Sequence, residues 1–367
     1  MEIKSEWIVQ LARLALTGRR QDILTYIRRL ERLLHKEDPA ASARLAELLR
    51  EAPSQAMPLR SAAVAAVPVD ADSRLSLLRQ EWPVMLDSAP AWSETIRSPL
   101  EQVIAERQRA DELRQVGVAP TRSMLFTGAP GVGKTLAARW LAQQLGWPLL
   151  TLDLSAVMSS YLGKTGTNVR HVLDYAKGVQ SVLLLDELDA IAKRRDDLGE
   201  VGELKRLVTV LLQEIDDWPQ MGLLLAATNH PDLLDPAVWR RFDAVVEFPL
   251  PDDAVVAQLL RQLLGEELAR DEALLTVLTA VMRGQSHAVI TRDLMRARRT
   301  ALVQRLKVEE ALMGMVRERV GELRLEQRRQ VGLALVQMGL SQRQVHEWTG
   351  MSRDTLRKVQ RKGAVKS

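Results

Sequence analysis

Five short, almost unbroken apolar runs constrain this chain most: Met124 to Thr127, Leu149 to Leu152, Val182 to Leu185, Leu223 to Ala227 and Val245 to Phe248. Each is too short to be a helix. None shows the apolar–polar alternation of a strand with one wet face, so all five are expected to be strands covered on both sides. Helix-compatible sequence separates them, which supplies the crossovers that parallel strands need. The expected architecture is therefore α/β, with a charged helix from Pro99 to Val116 leading into it. Beyond Pro249 and Pro251 the strand pattern ends. Asp252 to about Ala311 then reads as helices only, and a further basic helical segment closes the chain.

Ahead of the sheet, Ile23, Ile27, Leu30 and Leu34 recur at helical spacing, with flanking helices expected at 5–16 and 40–50. Pro53, Pro58 and Pro68 among Ala, Ser and Val make the next stretch a linker. The expected division is an N-terminal helical domain at 1–51, a linker at 52–72, an α/β domain at 73–250, an all-α lid at 251–311 and a C-terminal segment at 312–367. A length of 367 residues suits two or three such modules. The absence of cysteine excludes disulfides and thiolate metal sites, and the five histidines have no metal-ligand spacing. A cytoplasmic setting is expected. Gln10 and Arg13 interrupt the apolar stretch Trp7 to Leu16 and no cleavage site follows, so no signal peptide is expected. No apolar run reaches the roughly 18 residues of a membrane span, so no membrane partner is expected. From Arg283 onward 19 Lys and Arg face 8 Asp and Glu, although the whole chain carries only +4. A basic tail on an acidic body points to an anionic partner for the tail.

Directly after the first strand comes Gly128-Ala129-Pro130-Gly131-Val132-Gly133-Lys134-Thr135, and a helix-compatible run follows it. This is the P-loop pattern in the context that makes it credible. Glycines let backbone N–H groups curl around phosphate, and the following helix contributes its positive end. Lys134 neutralises the β- and γ-phosphates, while Thr135 offers its hydroxyl to Mg²⁺. ATP and Mg²⁺ are the expected ligands. Asp186 and Glu187 end the third strand. A pair of acids there serves as a helix cap or as catalytic machinery; beside a P-loop, Asp186 is expected to hold Mg²⁺ and Glu187 to polarise the attacking water. Thr228-Asn229 ends the fourth strand, where an amide is placed to position that water.

Together these motifs resemble the AAA ATPases over about 75–310. The run Asp186 to Ala192 is similar to the family's Walker B segment, Ala226 to Asn229 to its sensor 1, and Leu234 to Asp243 to its second region of homology. The resemblance implies a five-stranded parallel sheet with a helical lid, and a homo-oligomeric ring, usually a hexamer. It carries nucleotide contacts onto Gly128 through Leu136 and catalytic roles onto Glu187, Asn229, Arg240 and Arg241. In the family the matching arginines reach the γ-phosphate of the next subunit. Here Arg240 and Arg241 are adjacent, without the spacer many members carry, so the sequence leaves open which one is the finger. In the lid, Gly284 to Ala288 resembles a stretch that touches nucleotide, so Ser286 and His287 are expected contacts, although His287 stands where glycine is commoner. Ser286 as a helix N-cap is the plainer reading. Whether Arg292 is a lid sensor stays open.

Two segments bear on the client. Ser160-Tyr161-Leu162-Gly163-Lys164 resembles the pore loop of AAA rings, with Tyr161 and Leu162 gripping an unfolded polypeptide. Gln342 to Val359 resembles a helix-turn-helix, with Gly350 as its turn, Ser352 as cap of a second helix, and Arg353, Arg357 and Lys358 facing DNA. The same pattern also suits packing against the lid or a protein. Remodelling of a client protein and ATP-dependent regulation on DNA therefore both stand as readings. The single AAA module with a short helical N-terminal domain and the compact Arg240-Arg241 region also resembles bacterial ATPases encoded beside subtilisin-like serine proteases on mobile elements, a pairing linked to plasmid maintenance or phage defence.

Overall fold

The computed structural model describes residues 78–154, 165–189, 211–266 and 268–352, together with Ser42, Arg44 and Ala46. The chain divides into two units, Met1–Ala65 and Ala66–Ser367. In the first unit Ser42, Arg44 and Ala46 are helical. The rest of the expected N-terminal helical domain, and the expected linker at 52–72, lie outside the described residues.

In the second unit all five apolar runs are strands. These are β2 (Ser123–Thr127), β3 (Leu149–Asp153), β4 (Val182–Asp186), β5 (Leu223–Thr228) and β6 (Ala244–Glu247), preceded by β1 (Arg79–Glu81). Their order across the sheet is β1-β3-β4-β5-β2-β6. Strands β2 to β6 run parallel, with Met124 opposite Ala244, Ser123 opposite Leu224, and Leu149 opposite Val182. One correction concerns the strand count. The expectation of five strands omits β1, which adds an antiparallel edge by pairing Arg79 with Thr151 and Glu81 with Leu149. Arg-Gln-Glu has no apolar signature. It is a strand because backbone pairing and a Glu81–Arg139 ion pair at 2.7 Å hold it.

Alternate residues of each strand serve opposite cores. Leu183 and Leu185 join Leu125, Leu152 and Leu224 beneath α4 (Thr165–Lys177) and the helical residues 211–216. Val182 and Leu184 join Phe126, Leu225 and Phe248 beneath α1 (Glu94–Gln108) and α3 (Lys134–Leu145). Helix α1 begins five residues before the expected Pro99 and carries that proline internally. Its buried stripe of Ile96, Leu100 and Val103 outweighs the hydrogen bond that proline removes. The expected single helix to Val116 breaks at Arg109, beyond which α2 (Ala110–Gln115) follows.

After the short α5 (Pro236–Trp239) and β6, every described element is helical: α6 (Asp253–Leu264), a 3-10 turn at Leu268–Arg270, α7 (Glu272–Met282), α8 (His287–Gln304), α9 (Val308–Val320), α10 (Leu325–Gln337) and α11 (Gln342–Thr349). A single apolar cluster runs through them from Val256 to Met351. The expected division at 311/312 falls inside α9, so the lid and residues 312–352 share one core. Among the described residues no helix is long and apolar enough to cross a membrane.

Candidate active site

Parallel strands deliver their carboxyl ends to one edge of the sheet, and the signature residues meet there. Thr127 ends β2 and Gly128 to Gly133 form the loop into α3. Two glycines are required by close approach. Gly128 has φ 143°, and a Cβ there would lie 2.2 Å from the Phe248 carbonyl oxygen beyond β6. Gly131 has φ 77°, and its Cβ would lie 2.8 Å from Ala288 Cβ and 2.9 Å from Ser286 Oγ. The loop is thus pressed against the sheet on one side and the lid on the other.

Lys134 is 6% exposed at the first position of α3. Its ammonium donates to the Gly128 carbonyl at 2.6 Å, the Ala129 carbonyl at 3.0 Å and Asn229 Oδ1 at 2.8 Å. Three donors meet three acceptors, and the P-loop is thereby tied to the end of β5. Burial lowers the Lys134 pKa, opposed by the charges of Asp186 and Asp189. Next to it, Thr135 Oγ1 donates to Asp186 Oδ2 at 3.3 Å. Burial raises the Asp186 pKa, hydrogen bonds from Glu187 N and Thr135 oppose the shift, and Glu187 and Asp153 add to it. A desolvated carboxylate beside a hydroxyl suits Mg²⁺, which takes one or two protein oxygens and completes its shell with water and phosphate.

Glu187 is exposed and has φ 57°, a left-handed conformation that costs a non-glycine residue roughly 1–3 kcal/mol. The surroundings hold it there: its amide donates to Asp186 Oδ1 at 3.0 Å and the Leu188 amide to the Ala227 carbonyl at 2.9 Å. Asp189, only 4% exposed, accepts from Thr228 Oγ1 at 3.0 Å and from the Asn229 amide at 3.1 Å. Sequence reasoning covers Asp189 only as a letter in the Walker B run; its link to the next strand is a tertiary contact.

Ser286 is the N-cap of α8, yet its hydroxyl makes no cap hydrogen bond. The Ala288 amide instead donates to the Gly131 carbonyl at 3.0 Å. His287 is 9% exposed and its Nε2 lies 2.9 Å from the Ala91 carbonyl, so Nε2 carries the proton and Nδ1 is an acceptor. Burial lowers the His287 pKa and the Ala91 hydrogen bond opposes that shift. Among the described residues neither His287 Nδ1 nor Trp92 Nε1, both buried, has a hydrogen-bond partner, and Trp92 Nε1 would lie 3.2 Å from a Cβ on Gly133. Trp92 carries no signal in the sequence because nothing local marks its approach to the P-loop.

The two arginines after α5 differ. Arg241 is ion-paired with Asp216 and donates to the Leu212 carbonyl at 3.4 Å. Arg240 is exposed and has no hydrogen bond or ion pair among the described residues. Arg292 is largely exposed and lies 3.4 Å from Asp293. Near the C-terminus, Gly350 turns in the left-handed region at φ 68°, and His346 Nδ1 lies 2.5 Å from the Met351 carbonyl across that turn. Tyr161 and Leu162, and also Arg353, Arg357 and Lys358, lie outside the described residues.

Residues 124–250 match the model of the family described as "ATPase family associated with various cellular activities (AAA)". The chain is 41% identical over 230 residues to an uncharacterized AAA family ATPase of Sinorhizobium fredii, covering 61% of this chain and 69% of that protein. It is 34% identical over 206 residues to the ATP-dependent zinc metalloprotease FtsH of Acidothermus cellulolyticus, covering 54% of this chain and 31% of that one. With the proteasome-activating nucleotidase of Saccharolobus solfataricus it shares 32% identity over 204 residues, 54% of this chain and 52% of the other. The chain thus spans about half or less of these last two proteins. The crystal structure of the FIGL-1 AAA domain shares the fold, with a TM-score of 0.54 at 21% identity over 66% of this chain and 85% of that domain.

Proposed function

The chain belongs to the AAA family of ATPases, and from that premise we propose that it hydrolyses ATP in a homo-oligomeric ring, a hexamer, to remodel a client protein. The observation that carries the ATPase chemistry is the Lys134 ammonium, bonded at once to the P-loop carbonyls and to Asn229. That contact ties the phosphate loop to the end of β5, and Thr135, the next residue, is bonded to Asp186 at the end of β4.

The roles follow from the chemistry of each group. Lys134 and the loop from Gly128 through Leu136 hold the triphosphate, and Thr135 with Asp186 would hold Mg²⁺. When bound, the ion neutralises charge on the β- and γ-phosphates. Glu187 orients and polarises the attacking water, and Asn229 fixes it relative to the γ-phosphate. Ser286 and His287 border the loop from the lid. Of the two arginines, Arg240 is assigned as the finger that completes a neighbour's site, because Arg241 is engaged within its own subunit.

The protein client is supported by the names of the relatives, an ATP-dependent metalloprotease and a proteasome-activating nucleotidase, and by the resemblance of Tyr161 and Leu162 to a pore loop. A subtilisin-like serine protease, in a defence or plasmid-maintenance pair, is the partner that the resemblance to those paired bacterial ATPases favours. A second reading, an ATP-dependent regulator anchored on DNA, is favoured by α11 and the left-handed turn at Gly350, with Arg353, Arg357 and Lys358 following. The central test is Glu187→Gln in steady-state ATP hydrolysis with nucleotide binding measured separately. Binding should persist while turnover falls at least about tenfold, since general bases contribute roughly 10²–10⁴. Turnover at the wild-type rate would remove Glu187 from the chemistry.

A further inference from the structure

Asp189 lies two residues past Glu187 on the segment leaving β4, and its carboxylate is bonded across to the end of β5. We propose that Asp189 is a positioning residue for hydrolysis, fixing Asn229 relative to Glu187; the inference rests on the reading of Asn229 as the group that orients the attacking water. A single oxygen, Oδ1, accepts from both Thr228 Oγ1 and the Asn229 amide. Thr228 Oγ1 in turn accepts from the His230 amide at 3.1 Å, and the Leu188 amide donates to the Ala227 carbonyl at 2.9 Å. The segment carrying Glu187 and the turn carrying Asn229 are therefore stitched together on consecutive residues of both.

Asn229 is held at two places. Its backbone amide is fixed by Asp189 and its side-chain Oδ1 accepts from Lys134 at 2.8 Å. With Oδ1 so engaged, Nδ2 is the donor left to the side chain, and among the described residues it has no partner. An amide anchored at its own backbone and turned by the P-loop lysine presents Nδ2 in one orientation. Without the Asp189 carboxylate, Thr228 Oγ1, in a fully buried residue, and the Asn229 amide both lose their acceptor. The turn then relaxes to satisfy them. Catalytic groups are sensitive to such relaxation, because a misplacement of about 1 Å can cost on the order of 10²-fold in rate.

Because Asp189 acts through Asn229, its removal should matter only while Asn229 is present. The test is a double-mutant cycle on the full chain with Asp189→Ala and Asn229→Ala, reading kcat and KM for ATP. Each single variant should lower kcat by at least about tenfold with KM changed by less than about threefold, and the double variant should be no slower than Asn229→Ala alone. Asp189→Glu repeats the cycle with the charge retained and the oxygen displaced, and it keeps the test open if Asp189→Ala does not fold; the same pattern is expected. Losses that multiply, or an Asp189 variant at the wild-type kcat while Asn229→Ala is slow, overturn the role of Asp189. Asn229→Ala at the wild-type kcat instead refutes the reading of Asn229 on which the role depends.

Discussion

Replacing Arg240 and Arg241 one at a time separates a group that serves a neighbour from one that serves its own subunit. Arg241 is ion-paired with Asp216, and the two side chains are 36% and 47% exposed. A pair that open to solvent contributes about 0–1 kcal/mol, so Arg241→Ala should lower stability by no more than that and leave hydrolysis within a few-fold of wild type. Among the described residues Arg240 has no partner to lose, and Arg240→Ala should leave the melting temperature unchanged. If it is the finger, hydrolysis should fall by roughly 10³–10⁵, or about 4–7 kcal/mol of transition-state stabilisation. Mixing provides the stronger assay. Arg240→Ala subunits keep Glu187, and Glu187→Gln subunits keep Arg240, so a mixed ring contains interfaces that have both. At equal amounts and random assembly, roughly a quarter of the interfaces of a closed ring are competent, and activity should rise well above that of either variant alone. A larger loss from Arg241→Ala than from Arg240→Ala, or no recovery on mixing, would refute the assignment.

Other outcomes are as specific. The His287 pKa is lowered by burial in the folded chain, so below the ordinary histidine value near 6.5 the unfolded chain binds the extra proton first. The contribution is intact above that value and lost as pH falls through the folded pKa. Nucleotide-free thermal stability should therefore drop from pH 7.5 to 5.5, and His287→Ala should flatten that part of the profile. On the DNA reading, Arg353→Ala with Arg357→Ala should weaken duplex binding and make its salt dependence shallower by about one unit of slope per lost phosphate contact. Loss of client remodelling in Tyr161→Ala with DNA binding intact would instead favour the protein client.

The strand core was legible because strands buried on both faces are apolar at every position, as Leu183, Leu184 and Leu185 show. Strand β1 was not, since Arg79-Gln80-Glu81 is held by pairing with β3 rather than by burial of its own side chains. The positions of the P-loop, Asp186, Glu187 and Asn229 at or just past strand ends were readable for a similar reason, since local sequence fixes where a strand stops. What escaped were contacts between segments distant in the chain. Trp92 beside Gly133 and His287 on the Ala91 carbonyl belong to that class. So does the difference between Arg240 and Arg241, which depends on Asp216 from another helix. The continuity of the apolar cluster across residue 311 to Met351 also escaped, because it joins helices distant in the chain.

Gly128 and Gly131 belong to one loop but should fail in different ways when given a side chain. Both have positive φ, and an L-residue in the left-handed region costs about 1–2 kcal/mol. They differ in what the new methyl group meets. At Gly128 it would lie 2.2 Å from the Phe248 carbonyl, a backbone atom whose own residue is buried in the sheet core and whose amide is bonded to Thr127 at 2.7 Å. Nothing there can yield without opening the contact between β2 and β6, so Gly128→Ala should cost well beyond the conformational term and lower the urea midpoint. At Gly131 the neighbours are Ala288 Cβ and Ser286 Oγ at the start of α8. That helix belongs to the separate apolar cluster of α6 to α11, which stays intact if the lid shifts outward. Gly131→Ala should then stay within about 2 kcal/mol of wild type in stability yet lose hydrolysis sharply, because the Ala288–Gly131 hydrogen bond that seats the lid on the phosphate loop is broken. Urea unfolding and ATPase rate measured on both variants decide it. Equal losses of stability, or full hydrolysis by Gly131→Ala, would show that the lid contact does not govern the loop.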